Sequence, residues 1–108
     1  MWIFFRDSFI SLTRHNEDPS LLLVRARVES DILRLWPDVT VSVTPDADYH
    51  YRAALSQAEV VRVMDERIAA ISYTTDFKGG VKEPDRHDAY LRVWSAMGQF
   101  QRTRERRP

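Results

Sequence analysis

The 108-residue chain contains no cysteine. That excludes disulfides, thiolate catalysis and cysteine-ligated zinc or iron–sulfur centres, and it fits a reducing compartment. Glycine is scarce at three residues, and two lysines stand against 14 arginines. The pair Gly79-Gly80 is not followed by the Lys-Ser/Thr that a phosphate cradle needs. No G-x-G-x-x-G, G-x-S-x-G or H-E-x-x-H motif occurs, so no dinucleotide fingerprint, nucleophile elbow or zinc-protease helix is announced. An excess of charge is missing too: 16 Lys and Arg balance 16 Asp and Glu. A neutral chain has no long-range field to draw in nucleic acid or a membrane, so any charge argument must be local. The arginine bias is what a GC-rich genome yields and does not by itself imply phosphate recognition. Long hydrophobic runs are absent. The apolar opening Met1–Phe5 meets Arg6, far short of the roughly 20 residues of a membrane span. It also lacks the basic leader of a signal peptide. The expectation is a soluble, cytoplasmic protein with no membrane contact.

What is present describes a globular domain: 44% hydrophobic and 30% charged residues. Trp2–Phe5 and Phe9–Arg14, separated by turn residues, predict a hairpin, with Ile10 and Leu12 opposed to Ser11 and Thr13. Leu21–Val28 alternates most clearly, placing Leu22, Val24, Ala26 and Val28 on one face and Leu23, Arg25 and Arg27 on the other. A short helix capped by Ser30 or Asp31 should follow and stop at Pro37. Val39–Thr44 and Tyr49–Leu55 read as two more strands, the second with Tyr49, Tyr51, Ala53 and Leu55 opposed to His50, Arg52 and Ala54. Ser56–Glu59 fits a capping box before a helix with Val60, Val61, Met64, Ile68 and Ile71 at helical spacing. Pro84 can open a last helix striped by Tyr90, Val93, Trp94, Met97 and Phe100; Trp94 and Met97 are expected in the core. The predicted fold is α+β, in the order β-β-β-α-β-β-α-α. A mainly antiparallel sheet of about five strands carries helices on one face and is partly ferredoxin-like. Residues 1–101 are expected to form a single domain, and 102–108 a basic, disordered tail.

Two residue groups are candidates for binding. Arg25 and Arg27 project together from one strand, and His50 and Arg52 from another. If those strands are neighbours, four basic groups meet on one sheet face, where guanidinium forks could hold phosphate or carboxylate. The bland reading is a solvated face paired with nearby acids. An RNA-recognition domain would place aromatics on the open face; here Tyr49 and Tyr51 are expected on the apolar one. The second group is the loop bearing Tyr73, Phe77 and Lys78, with Arg86 beyond it. Its aromatics either plug the core edge or meet a partner. The Asp85-Arg86-His87-Asp88 run is a weak metal candidate, and acids in a first helical turn already suit the helix dipole. No metal and no cofactor are expected.

The segments FISLTRH, LLVRARV, TPDADYHYRA, ISYTTDFK and HDAYLRVWSAM, in that order, resemble a family of short uncharacterised proteins from actinobacteria, other bacteria and their phages. In that family the loop reads like D-Y-x-N-F-K; here it runs Ser72-Tyr73-Thr74-Thr75-Asp76-Phe77-Lys78. The resemblance implies no activity or cofactor and directs attention to Tyr73, Phe77, Lys78, Tyr90 and Trp94. The expected function is a small non-catalytic module for a protein partner or for self-association, a homodimer included. One alternative is anion or nucleic-acid binding through the basic sheet face. Another is a small-molecule enzyme or sensor near the Tyr73–Lys78 loop.

Overall fold

The computed structural model describes residues 1–106. Five strands form one antiparallel sheet: β1 (Trp2–Phe4), β2 (Phe9–Arg14), β3 (Leu21–Ala26), β4 (Ser42–Val43) and β5 (Tyr51–Ser56), in the spatial order β1-β2-β3-β5-β4. This is the predicted α+β architecture. Helix α1 (Glu29–Leu33) joins β3 to β4, which run parallel with β5 between them, a split β-α-β unit. The front hairpin supplies β2, which pairs with the other side of β3.

Helices α1 and α2 (Gln57–Ala69) cover one sheet face. The core there joins Ile10, Val24, Ala26 and Ala53 of the sheet to Ile32, Leu35, Trp36, Val60 and Val63. Within β2, β3 and β5 the alternation is as expected, but β3 ends at Ala26, so Val28, expected on the apolar face, lies beyond the pleat and is exposed. Three further local expectations are corrected. Neither Ser30 nor Asp31 caps α1; Val28 stands at the N-cap without a side-chain bond. Asp31 is buried instead, and its Oδ2 accepts the Phe9 N–H at 2.9 Å. The strand expected over Val39–Thr44 shrinks to Ser42–Val43, paired with Arg52 and Tyr51, while Val39 and Val41 pack against the core. At α2 the Ser56 hydroxyl accepts the Glu59 N–H, but the Glu59 carboxylate is drawn forward to Arg62 at 2.6 Å. Half of the expected capping box is therefore formed.

The chain divides into two compact units, Met1–Ser72 and a second that begins at Tyr73. The second holds a single 3₁₀ turn, Lys78–Gly80, and α3 (Pro84–Glu105), with Pro84 in its first turn as expected. Helix α3 continues past residue 101 through Glu105, so 102–105 are helical and not a disordered tail; Arg107 and Pro108 lie outside the described residues. Only Tyr90 of its apolar stripe is buried. Trp94, at 62% exposure, and Met97 are on the surface, which overturns their placement in the core. Among the described residues no helix is long and apolar enough to cross a membrane.

Candidate functional site

The sheet face turned away from α1 and α2 brings the basic residues together. Pairing runs Trp2↔Ser11, Ser11↔Arg25, Arg25↔Arg52 and Arg52↔Ser42, so one rung crosses all five strands. Residues directly opposite in a ladder point to the same side. The rung therefore presents an indole at one end and two adjacent guanidinium groups towards the other. Arg27 extends the group from just beyond β3.

A fixed scaffold holds these arginines. Arg25 Nη2 donates to Ser11 Oγ at 2.8 Å, and Arg27 Nη1 donates to the Asp48 carbonyl at 2.7 Å. Arg52 Nε donates to the Tyr49 carbonyl, and its Nη2 reaches Asp48 Oδ1 at 3.4 Å. The guanidinium carbons of Arg25 and Arg27 lie 4.6 and 4.2 Å from the centre of the Tyr49 ring. Tyr49 is thus buried beneath arginines and not on the apolar face expected for it. The physical reason is position: Tyr49 precedes β5, so the pleat does not dictate its side, and cation–π attraction does. His50 does not share in these bonds; it is exposed, its ring 6.3 Å from that of Tyr51.

Beside the arginines stands an aromatic group that the basic-face reading did not include. Phe4 and Phe9 stack at 4.5 Å, and Trp2 meets Phe9 edge-on at 6.1 Å. The signal was available: Trp2 and Phe4 alternate with Ile3, and Phe9 shares parity with Ser11.

A second surface lies on the helical side of the same unit. Helix α2 and the β1–β3 part of the sheet leave an open groove of about 440 Å³, lined by Ile3, Leu12, Leu22, Val61, Met64 and Ile68 among others. Helical periodicity had assigned Val61 and Ile68 to the buried stripe of α2. Of that stripe Val60 is buried as expected, joined by Val63, while Val61 is exposed and Ile68 is 66% exposed. Asp65 stands at the groove's edge.

The loop of the second unit closes on its own helix. Tyr73 meets Phe77 edge-on at 5.5 Å, and Phe77 stacks on Tyr90 at 6.1 Å. Lys78 Nζ sits 4.5 Å from the centre of the Trp94 ring. Arg86, with its side chain 8% exposed, bonds Glu83 at 2.9 Å and the Tyr90 hydroxyl at 3.3 Å. Asp76 accepts the Gly79 N–H at 2.9 Å, and a Cβ at Gly79 would collide with that carboxylate. The four loop-group residues therefore pack within one cluster that braces the start of α3. Among the described residues no group of acids and histidines is placed to hold a metal ion. No family model, curated protein or solved structure matches the chain.

Proposed function

We propose that this chain is a non-catalytic protein-interaction module that docks an apolar segment of a protein partner in the groove beside α2. The observation that carries the reading is the exposure of Val61 and Ile68 beside Met64, Ile3 and Leu12 along one open apolar channel. Positions 61, 64 and 68 share a helix face. An apolar helix face left in water beside an apolar sheet margin is the usual mark of an interaction surface. A second helix laid along α2 would cover it in the helix-in-groove mode. Self-association through the same groove is one form of the reading. The lack of cysteine supports a reducing, cytoplasmic setting.

The test is cross-linked capture from native cells, paired with analytical ultracentrifugation of the purified chain. Ile68→Asp and Val61→Asp should each remove the partner, or the dimer, that wild type retains, while far-UV circular dichroism stays unchanged. Retention of every partner by both variants would sink the proposal.

A further inference from the structure

The opposite face of the sheet carries a different chemistry. Neighbouring strands lie about 4.8 Å apart, so the rung sets Trp2 about 10 Å from Arg25 and about 14 Å from Arg52, measured along the backbone. Trp2 is 65% exposed. It is braced at its edge by Phe9, which in turn is stacked on Phe4. An indole held in this way can receive a flat π-system without first ordering a free side chain.

The arginines are equally prepared. Each guanidinium has five N–H donors. Arg25 uses one on Ser11, Arg27 one on Asp48, and Arg52 two on Tyr49 and Asp48. Most of their donors are left over. Arg52 alone is paired with a carboxylate, that of Asp48 at 3.4 Å, while Arg27 bonds the Asp48 carbonyl and Arg25 the Ser11 hydroxyl. Among the described residues the three guanidinium charges are thus under-matched by acid on a neutral chain. A merely solubilising face would match each arginine to an acid and would not keep an indole in water beside them.

We infer that this face binds single-stranded nucleic acid, with a base stacked on Trp2 and backbone phosphates on Arg25 and Arg52. Single strands offer unstacked bases alongside a charged backbone, the two features that an aromatic-and-arginine surface reads together. A duplex hides its base faces, and a lone sheet face has no element here to enter a groove. The site is distinct from the apolar groove and stands independently of it.

The experiment is fluorescence anisotropy of the whole chain with a labelled oligothymidylate of about 12 nucleotides, within the range one small domain covers. Its duplex serves as competitor, and salt is raised from about 50 to about 200 mM. Two phosphate contacts predict a slope of log K against log salt of about −1.4, or roughly 7-fold weakening over that range. Trp2→Ala should weaken binding about 5-fold or more at unchanged slope, and Trp2→Phe should recover most of it. Arg25→Gln and Arg52→Gln should each flatten the slope by about 0.7. Arg102→Gln with Arg104→Gln should change nothing. Trp2, Arg25 and Arg52 do not line the apolar groove, so failure here leaves the groove reading intact. The inference is overturned by no binding at the lowest salt, by wild-type affinity in Trp2→Ala, by a loss that follows Arg102 and Arg104, or by equal affinity for duplex.

Discussion

Removing the Asp31 carboxylate tests how the front hairpin is tied to the core. Asp31 is 2% exposed. Its Oδ2 accepts the backbone N–H of Phe9 at 2.9 Å, and its Oδ1 meets Arg34 Nη1 at 3.5 Å. Alanine would leave the Phe9 donor without this acceptor in a part-buried position, a cost of about 1–3 kcal/mol. It would also release the Arg34 pair. That contact is long and its arginine side chain is 36% exposed, so solvent screening limits its share to about 1 kcal/mol at most. The sum is about 1–4 kcal/mol. In a domain of this size each kcal/mol moves the melting midpoint by roughly 4 °C or more. Asp31→Ala should therefore melt roughly 10 °C below wild type by circular dichroism. Asparagine keeps an acceptor for Phe9 but turns an amide donor towards Arg34, so it should lose about half as much. Should Asp31→Ala melt within about 1 °C of wild type, the carboxylate would not be the tie described. Equal losses for both variants would show that the Phe9 bond is not what matters.

Ser56→Ala removes the acceptor for the Glu59 N–H and should cost about 1 kcal/mol in urea unfolding, with no change in slope; no loss would mean that α2 starts without its cap. Ile68→Asp should alter stability by no more than about 0.5 kcal/mol because the side chain is largely in water, and a larger loss would show the groove to be closed. Phe77→Ala removes the ring that joins Tyr73 to Tyr90, so amide exchange should accelerate across residues 73–81 and not in β2 or β3; exchange rising equally in both units would refute a local brace. The Ser20 hydroxyl and N–H hold the Asp18 carboxyl below its ordinary value of 3.8. That tie is present above the ordinary value and is lost as pH falls through the lower folded one. The Ser20 amide resonance should then titrate with a midpoint under 3.8, and a midpoint at or above 3.8 contradicts the bonds.

Much of the first unit was legible because pleating leaves no freedom inside a strand. Once Leu22, Val24 and Ala26 face the helices, Leu23 and Arg25 must face away, and Arg52 follows through its pairing with Arg25. Legibility stops where the pleat stops. Tyr49 sits just outside β5, and there two guanidinium groups decided its direction. Helical periodicity is less informative again. It marked an apolar stripe on α2 and another on α3, but a stripe says only which residues share a side. Whether a neighbour covers them depends on chain elsewhere, and at Ile68 and Trp94 it does not. Asp31 was misread for a related reason. Its type and place suit an N-cap, but the helix had already begun at Glu29, and the carboxylate found a strand N–H instead.

The two surfaces depend on one register. Along β2, Leu12 faces the groove while Ser11 joins the arginine rung; along β3, Leu22 and Arg25 divide in the same way. A slip of one residue between strands would exchange the sides, sending Ser11 and Arg25 under the helices and Leu12 and Leu22 into water. Two polar contacts oppose such a slip from opposite sides of the sheet. Arg25 bonds Ser11 on the open face, and Asp31 reaches from α1 to the first N–H of β2. Each is satisfied in only one register. Loss of the Asp31 contact should therefore disturb the arginine rung on the far face as well as the core. Arg25 side-chain resonances in Asp31→Ala would report that shift directly, and unchanged resonances would show that the hydrophobic pattern alone holds the strands in place.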